Sequence, residues 1–253
     1  MGILLYLVFS LSFTGEKRKN TICSRIRVRV LDSLKDQFVT EESIKDYISD
    51  LDFKVLGEPV KNINTKKLET DLNEKDIIKK TEVYFTADGN LHVEVNQRNP
   101  IVRVINKEGQ SFYIDEEGAI VPFPGNHSSH VLVASGEITK FFEVAGKDRL
   151  NCQETKKEGT DYVICEIYEL ARFIHNDPFW ESQIEQIYRN QKGEYELIPR
   201  VGGHLLLFGE FKGYRKKFRN LRAFYKKGLN NVGWNQYLKI NLKYDNQIIC
   251  TKR

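Results

Sequence analysis

The chain is poor in methionine, proline and histidine, with one Met, six Pro and five His in 253 residues. That scarcity, with no tandem repeat in view, excludes collagen-like, low-complexity and repeat architectures. Cysteine is sparse too. Cys23, Cys152, Cys165 and Cys250 are scattered with no C-x-x-C pair, which argues against a zinc ribbon or a thioredoxin-like motif. Cys152 and Cys165 fit either a short disulfide loop or a pair of buried thiols. The apolar run from Ile3 to Phe13, ILLYLVFSLSF, is about half of the ~20 residues a membrane-crossing helix needs. There is no Walker loop, no Gly-x-Gly-x-x-Gly after a strand, no His-Glu-x-x-His and no Gly-x-Ser-x-Gly. A net charge of +4 is too small to imply a nucleic-acid partner.

What is present describes an ordered chain. A 29% charged fraction with 15 Phe and 12 Tyr supplies enough large apolar surface to exclude disorder. The length suits one large domain or two modest ones. Three readings fit the run from Ile3 to Phe13: a clipped membrane anchor, the apolar part of a signal peptide without its basic front, or a buried strand or helix. Lys17, Arg18 and Lys19 follow it directly. Positive-inside bias would hold these residues in the cytoplasm, which runs against an exported domain downstream.

From Arg25 the pattern becomes regular. Ile26, Val28 and Val30 alternate with arginines, as in a half-buried strand. Thr40 followed by Glu41, Glu42 and Ser43 predicts a helix start, since a hydroxyl cap and early acids complement the free N–H groups. Asn64 or Thr65 opens a second helix with Leu68 and Leu72 inward. Ile77 to Phe85 reads as a strand, Ala87 to Asn90 as a turn, and Leu91 to Val95 as a returning strand. After Pro100, short strands cover Ile101 to Ile105, Phe112 to Ile114, Ala119 to Phe123 and Val131 to Ala134. A helix from Thr160 to Phe173 comes next, then strands at Ile184 to Tyr188, Tyr195 to Pro199 and His204 to Phe208. An amphipathic helix spans Tyr214 to Leu229. Last, Tyr237 to Cys250 reads as one strand with Leu238, Ile240, Leu242 and Tyr244 on a shared face.

Candidate chemistry is thin. His127 and His130 lack the third ligand that a metal site needs and read as a polar loop. Asp115, Glu116 and Glu117 precede Gly118 and suit a turn. Arg215, Lys216, Lys217, Arg219, Arg222, Lys226 and Lys227 make the Tyr214 helix basic. With no stacking platform beside it, that face reads as solvated. The final strand is the better candidate. At a sheet edge its free N–H and C=O groups would accept an added partner strand.

Three stretches then resemble the bacterial cell-division family FtsQ/DivIB: DIIKKTEVYFTADGNLHVEVNQRNPIVRV from Asp76 to Val104, FYIDEEGAIVPFP from Phe112 to Pro124, and YLKINLKYDNQIIC from Tyr237 to Cys250. The block before Pro100 also resembles a POTRA domain. The resemblance implies an α+β chain with a clipped anchor and basic flank at 1–20. A β-α-α-β-β POTRA domain would follow at 22–98 and a mixed β-rich domain with two helices at 99–253. It implies a non-enzymatic divisome scaffold with no cofactor and no nucleic-acid partner. Such a scaffold is single-pass in the inner membrane, with its bulk in the periplasm. The implied partners are the coiled-coil proteins FtsL and FtsB, or DivIC, through which septal peptidoglycan synthesis is controlled. Leu238, Ile240, Asn241, Leu242, Lys243, Tyr244, Asp245 and Asn246 are then the candidate contacts for an FtsB-like strand, with Tyr244 the anchor. Lys80, Val83 and Phe85 form a weaker recruitment site. The alternative is a POTRA-bearing secretion or outer-membrane assembly module, which would carry a barrel after the POTRA block.

Overall fold

The computed structural model describes residues 21–31, 38–123, 129–139, 149–150, 152 and 160–253. The apolar run from Ile3 to Phe13, the basic cluster from Lys17 to Lys19, and His127 lie outside the described residues. Contacts divide the chain between Arg98 and Asn99 into two compact units.

In the first unit, strand β1 (Ile26–Val30) leads to helix α1 (Glu41–Ser49) and helix α2 (Thr65–Asn73). Strands β2 (Ile78–Phe85) and β3 (Leu91–Gln97) close it. The caps are as the sequence predicts. Thr40 accepts from the Ser43 N–H while the Ser43 hydroxyl accepts from the Thr40 N–H, a reciprocal capping box. The Asn64 side chain accepts from the Lys67 N–H at 3.0 Å. The strands form a sheet in the order β1-β3-β2, with β1 parallel and β2 antiparallel to β3. Val28, Val83, Val93 and Val95 meet Ile44, Ile48, Leu68 and Leu72 in one core. Gly89 has φ +81° in the β2–β3 turn, a conformation that favours glycine.

The second unit is a nine-stranded sheet with the order β12-β11-β10-β9-β8-β7-β4-β5-β6. The strands are β4 (Pro100–Ile105), β5 (Ser111–Asp115), β6 (Ile120–Pro122), β7 (Leu132–Gly136), β8 (Ile184–Arg189), β9 (Tyr195–Pro199), β10 (Leu205–Gly209), β11 (Tyr237–Asn241) and β12 (Ile249–Lys252). Helices α3 (Thr160–His175), α4 (Pro178–Gln183) and α5 (Tyr214–Phe224) contribute to the same core. Phe218 of α5 sits among the rings of Phe173, Trp180 and Phe208, with centroids 4.8, 5.0 and 5.1 Å away. Cys152 and Cys165 are joined as a disulfide, while Cys23 and Cys250 are free thiols.

Three features differ from the sequence reading. Helix α4 is an addition to the two helices expected. Asp177 caps it by accepting from the Phe179 N–H at 3.1 Å, and Pro178 occupies its first turn, so Asn176-Asp177-Pro178 ends one helix and begins another. The helix from Tyr214 becomes a π-turn over Tyr225–Leu229 before the short helix α6 (Asn230–Val232). The stretch from Tyr237 to Cys250 is two strands joined by a turn.

The mixed α+β class is borne out, and the first unit has the β-α-α-β-β order expected. Replacing Phe218 with Ala should destabilise the protein by about 3–5 kcal/mol, because the aromatic cluster around it cannot close the cavity. A urea titration followed by tryptophan fluorescence measures this through the lowered midpoint.

Candidate partner interface

The C-terminal hairpin departs from simple alternation for a definable reason. Tyr237 opposes Lys252 and Lys239 opposes Thr251, so Leu238 is the extra residue of a bulge. The bulge resets the phase of the strand. Tyr237 turns inward against the Phe224 ring, with centroids 6.1 Å apart, and Ile240 is fully buried. Leu238 is instead 46% exposed. Leu242 is 3% exposed, and its N–H donates to the Leu207 carbonyl at 2.9 Å. Tyr244, beyond the end of β11, is 51% exposed. The four residues expected on one face therefore divide into two buried and two exposed.

The edge assignment changes as well. β11 runs parallel to β10 on one side and antiparallel to β12 on the other. It is an internal strand, and β12 forms one rim of the sheet, with β6 at the other. The sequence reading missed β12 as a separate element. The signal was Asp245-Asn246: Asn246 has φ +64°, the one positive value among described non-glycine residues, and it turns the chain back. Ile249, opposite Asn241, is 45% exposed.

Charged contacts fix the turn between β11 and β12. The Asn241 side chain accepts from the Lys243 N–H at 3.0 Å. Lys243 Nζ reaches Glu194 Oε2 at 2.5 Å and holds that carboxyl below the usual carboxylate range. Asp245 pairs with Lys216 of α5 at 3.0 Å. Tyr244 and Asp245 line a hollow with Lys212, Lys216, Lys217 and Ile248. Lys217 is partly withdrawn from solvent, and burial lowers its pKa. Its ammonium donates to the carbonyls of Phe208 and Glu210 at 2.9 and 2.5 Å. Arg222 lies 4.8 Å from the Phe179 ring and pairs with Asp177. Several cations of the basic helix are thus engaged within the fold.

The weaker candidate site is on the rim of the first sheet. Lys80 is exposed and pairs with Glu82 at 2.5 Å, Val83 is 6% exposed, and Phe85 is half-buried. Their strand β2 is an edge, but the Val83 N–H already donates to Glu69 Oε1 of α2 at 2.8 Å. Elsewhere, Asp115 is buried and accepts from the N–H groups of Glu117 and Ala119, which is turn chemistry. His130 is exposed. Among the described residues no group of three or more His, Cys, Asp or Glu side chains is placed to hold a metal ion.

Beneath the C-terminal hairpin is a buried imidazole. His204 is 3% exposed, with Nε2 2.9 Å from the Tyr225 hydroxyl. Burial pushes its pKa below the ordinary value, and the charge of Arg253 adds to this while the Trp234 carbonyl opposes it.

Residues 99–251 match the family model described as FtsQ/DivIB, C-terminal related, and residues 21–96 match a POTRA-like domain. No curated protein matches the chain. The first match covers more than half of the sequence, so the chain belongs to the FtsQ/DivIB C-terminal related family. That is a family of non-enzymatic division scaffolds, and it implies a membrane-anchored protein. No helix among the described residues is long and apolar enough to cross a membrane.

The His204 site has a pH consequence. A depressed folded-state pKa means that the unfolded chain binds the proton more readily. The stability from the neutral ring is present above the unfolded value of about 6.5 and is lost as pH falls below it. Urea midpoints measured at pH 7.5 and 5.5 should show a drop that is smaller in His204→Gln.

Proposed function

We propose that this member of the FtsQ/DivIB-related family is a divisome scaffold whose C-terminal hairpin binds an FtsB- or DivIC-like protein together with FtsL. In this reading the partner adds a strand to the rim of the nine-stranded sheet, at β12. Its side chains meet Leu238, Tyr244 and Ile249, and an acidic residue is drawn to Lys212 in the adjoining hollow. The carrying observation is the short open rim strand flanked by three exposed apolar side chains. Backbone pairing supplies the affinity, and the side chains on the hairpin supply the selection. Buried Ile240 and Leu242 hold the hairpin in place, and Asn241, Lys243, Asp245 and Asn246 shape its turn. Septal peptidoglycan synthesis is the process served, with the protein anchored in the inner membrane and its two units in the periplasm.

Support for this over an outer-membrane assembly module comes from residues 99–251. The alternative would assign them to a barrel, but they match the FtsQ/DivIB-related model. Lys80, Val83 and Phe85 remain a proposed second contact for recruitment, which would have to displace Glu69 from the Val83 N–H.

Two substitutions separate contact from folding. Tyr244→Asp should weaken capture of a purified FtsB-like partner at least tenfold, about 1.4 kcal/mol, with little change in melting temperature. Leu242→Asp should instead destabilise the fold, because it places an unpaired charge in the core. Unchanged capture by Tyr244→Asp would count against this interface.

A further inference from the structure

The first unit has two sheet rims, and they are not equivalent. β2 has its middle outward N–H, that of Val83, occupied by the Glu69 carboxylate. Among the described residues β1 has no such plug. The Leu91 N–H donates to the Arg25 carbonyl and the Leu31 N–H to the Val95 carbonyl, so the odd-numbered residues of β1 bond inward to β3. In a parallel ladder, this leaves the backbone groups of Ile26, Val28 and Val30 facing outward. Beside that rim runs a groove lined by Arg25, just ahead of the strand, by Ile26 and Arg27 from it, and by Lys45, Ser49 and Leu56 opposite. Its charged lining is wholly cationic, and Leu56 is 54% exposed.

We propose that the outer edge of β1 is a strand-addition site for an extended acidic segment of a partner protein. The geometry sets the chemistry of that segment. Outward hydrogen-bonding groups recur at every second residue, a spacing of about 6.7 Å that an extended chain matches. Partner side chains on the face of Arg25 and Arg27 are acidic. Those on the alternate face meet Ile26 and Leu56 and are apolar. Arg29 is engaged with Glu94 at 3.6 Å, and Lys45 has only a long exposed pair with Glu41 at 3.9 Å. Arg27 also lies near enough to Asp88 to favour its ionised form. Arg25 has no ion pair among the described residues and is the principal anchor for a carboxylate. An exposed rim is blunted by a cover, a bulge, a proline or charged side chains. The β2 rim has the plug, whereas β1 is left with charge alone, and charge of one sign selects its partner.

This surface is separate from the C-terminal hairpin and is tested separately. The probe is a fluorescein-labelled heptapeptide alternating glutamate and valine, with a lysine-for-glutamate analogue as control, titrated against the full chain by fluorescence anisotropy. The glutamate peptide should bind saturably, more weakly as salt is raised, and the lysine analogue should bind at least tenfold more weakly. The double variant R25E/R27E should lose at least tenfold in affinity, and Ile26→Pro, which removes one outward N–H, should lose binding while keeping its circular dichroism spectrum. If Ile26→Pro does not fold, amide exchange on the unaltered chain decides. The peptide should protect Ile26, Val28 and Val30. Equal binding of the lysine analogue, undiminished binding by R25E/R27E, or protection at Ile249 to Lys252 instead would overturn the assignment.

Discussion

Each unit is organised around pairing of the backbone polar groups in its sheet. A strand inside a sheet has its N–H and C=O groups satisfied on both sides, and a strand at the rim does not. Placing β11 between β10 and β12 gives Ile240 and Leu242 buried surroundings and leaves β12 as the rim beside the C-terminal turn, with β6 the rim at the far end. In the first unit the same constraint leaves β1 and β2 as rims, and Glu69 satisfies part of one. The surfaces available for strand addition follow from which rims remain unpaired.

Side-chain packing holds these rims in position. Phe218, Trp180, Tyr225 and Phe208 form an aromatic cluster beneath β10, and His204 joins it through Tyr225. Trp234, just ahead of the C-terminal hairpin, packs on Tyr225 of this cluster, and Tyr237 packs on Phe224 of α5. Around it, Lys216, Lys217 and Lys243 tie α5 and the turn to Asp245, to backbone carbonyls and to Glu194. Lys216, Lys217 and Arg222 of the basic helix thereby act as a structural clamp. Exposed pairs of this kind contribute little to stability singly, but here they fix the geometry of a turn.

Much of this was legible in the sequence. Thr40 and Asn64 announce helix starts because capping is local chemistry, and the alternation in β1 and β3 marks their buried faces. The motifs ending at Val104, Pro124 and Cys250 point to the family that residues 99–251 match. What escaped was phase and partnership. Leu238 to Tyr244 alternates cleanly, yet the bulge at Leu238 and the turn at Asn246 break the strand twice, and both depend on pairing with residues near the chain end. Helix α4 was hidden because Asp-Pro can close one helix or open the next. Whether a strand lies at a rim depends on tertiary neighbours, which periodicity does not encode; hence β11 read as an edge while β12 occupies it.

The most direct measurement is amide hydrogen exchange of the full chain with and without a purified FtsB-like partner. Partner-dependent protection is expected in Ile249 to Lys252, together with slowed exchange through the turn around Tyr244. Protection absent from this hairpin, with the partner demonstrably bound, would contradict the proposed interface.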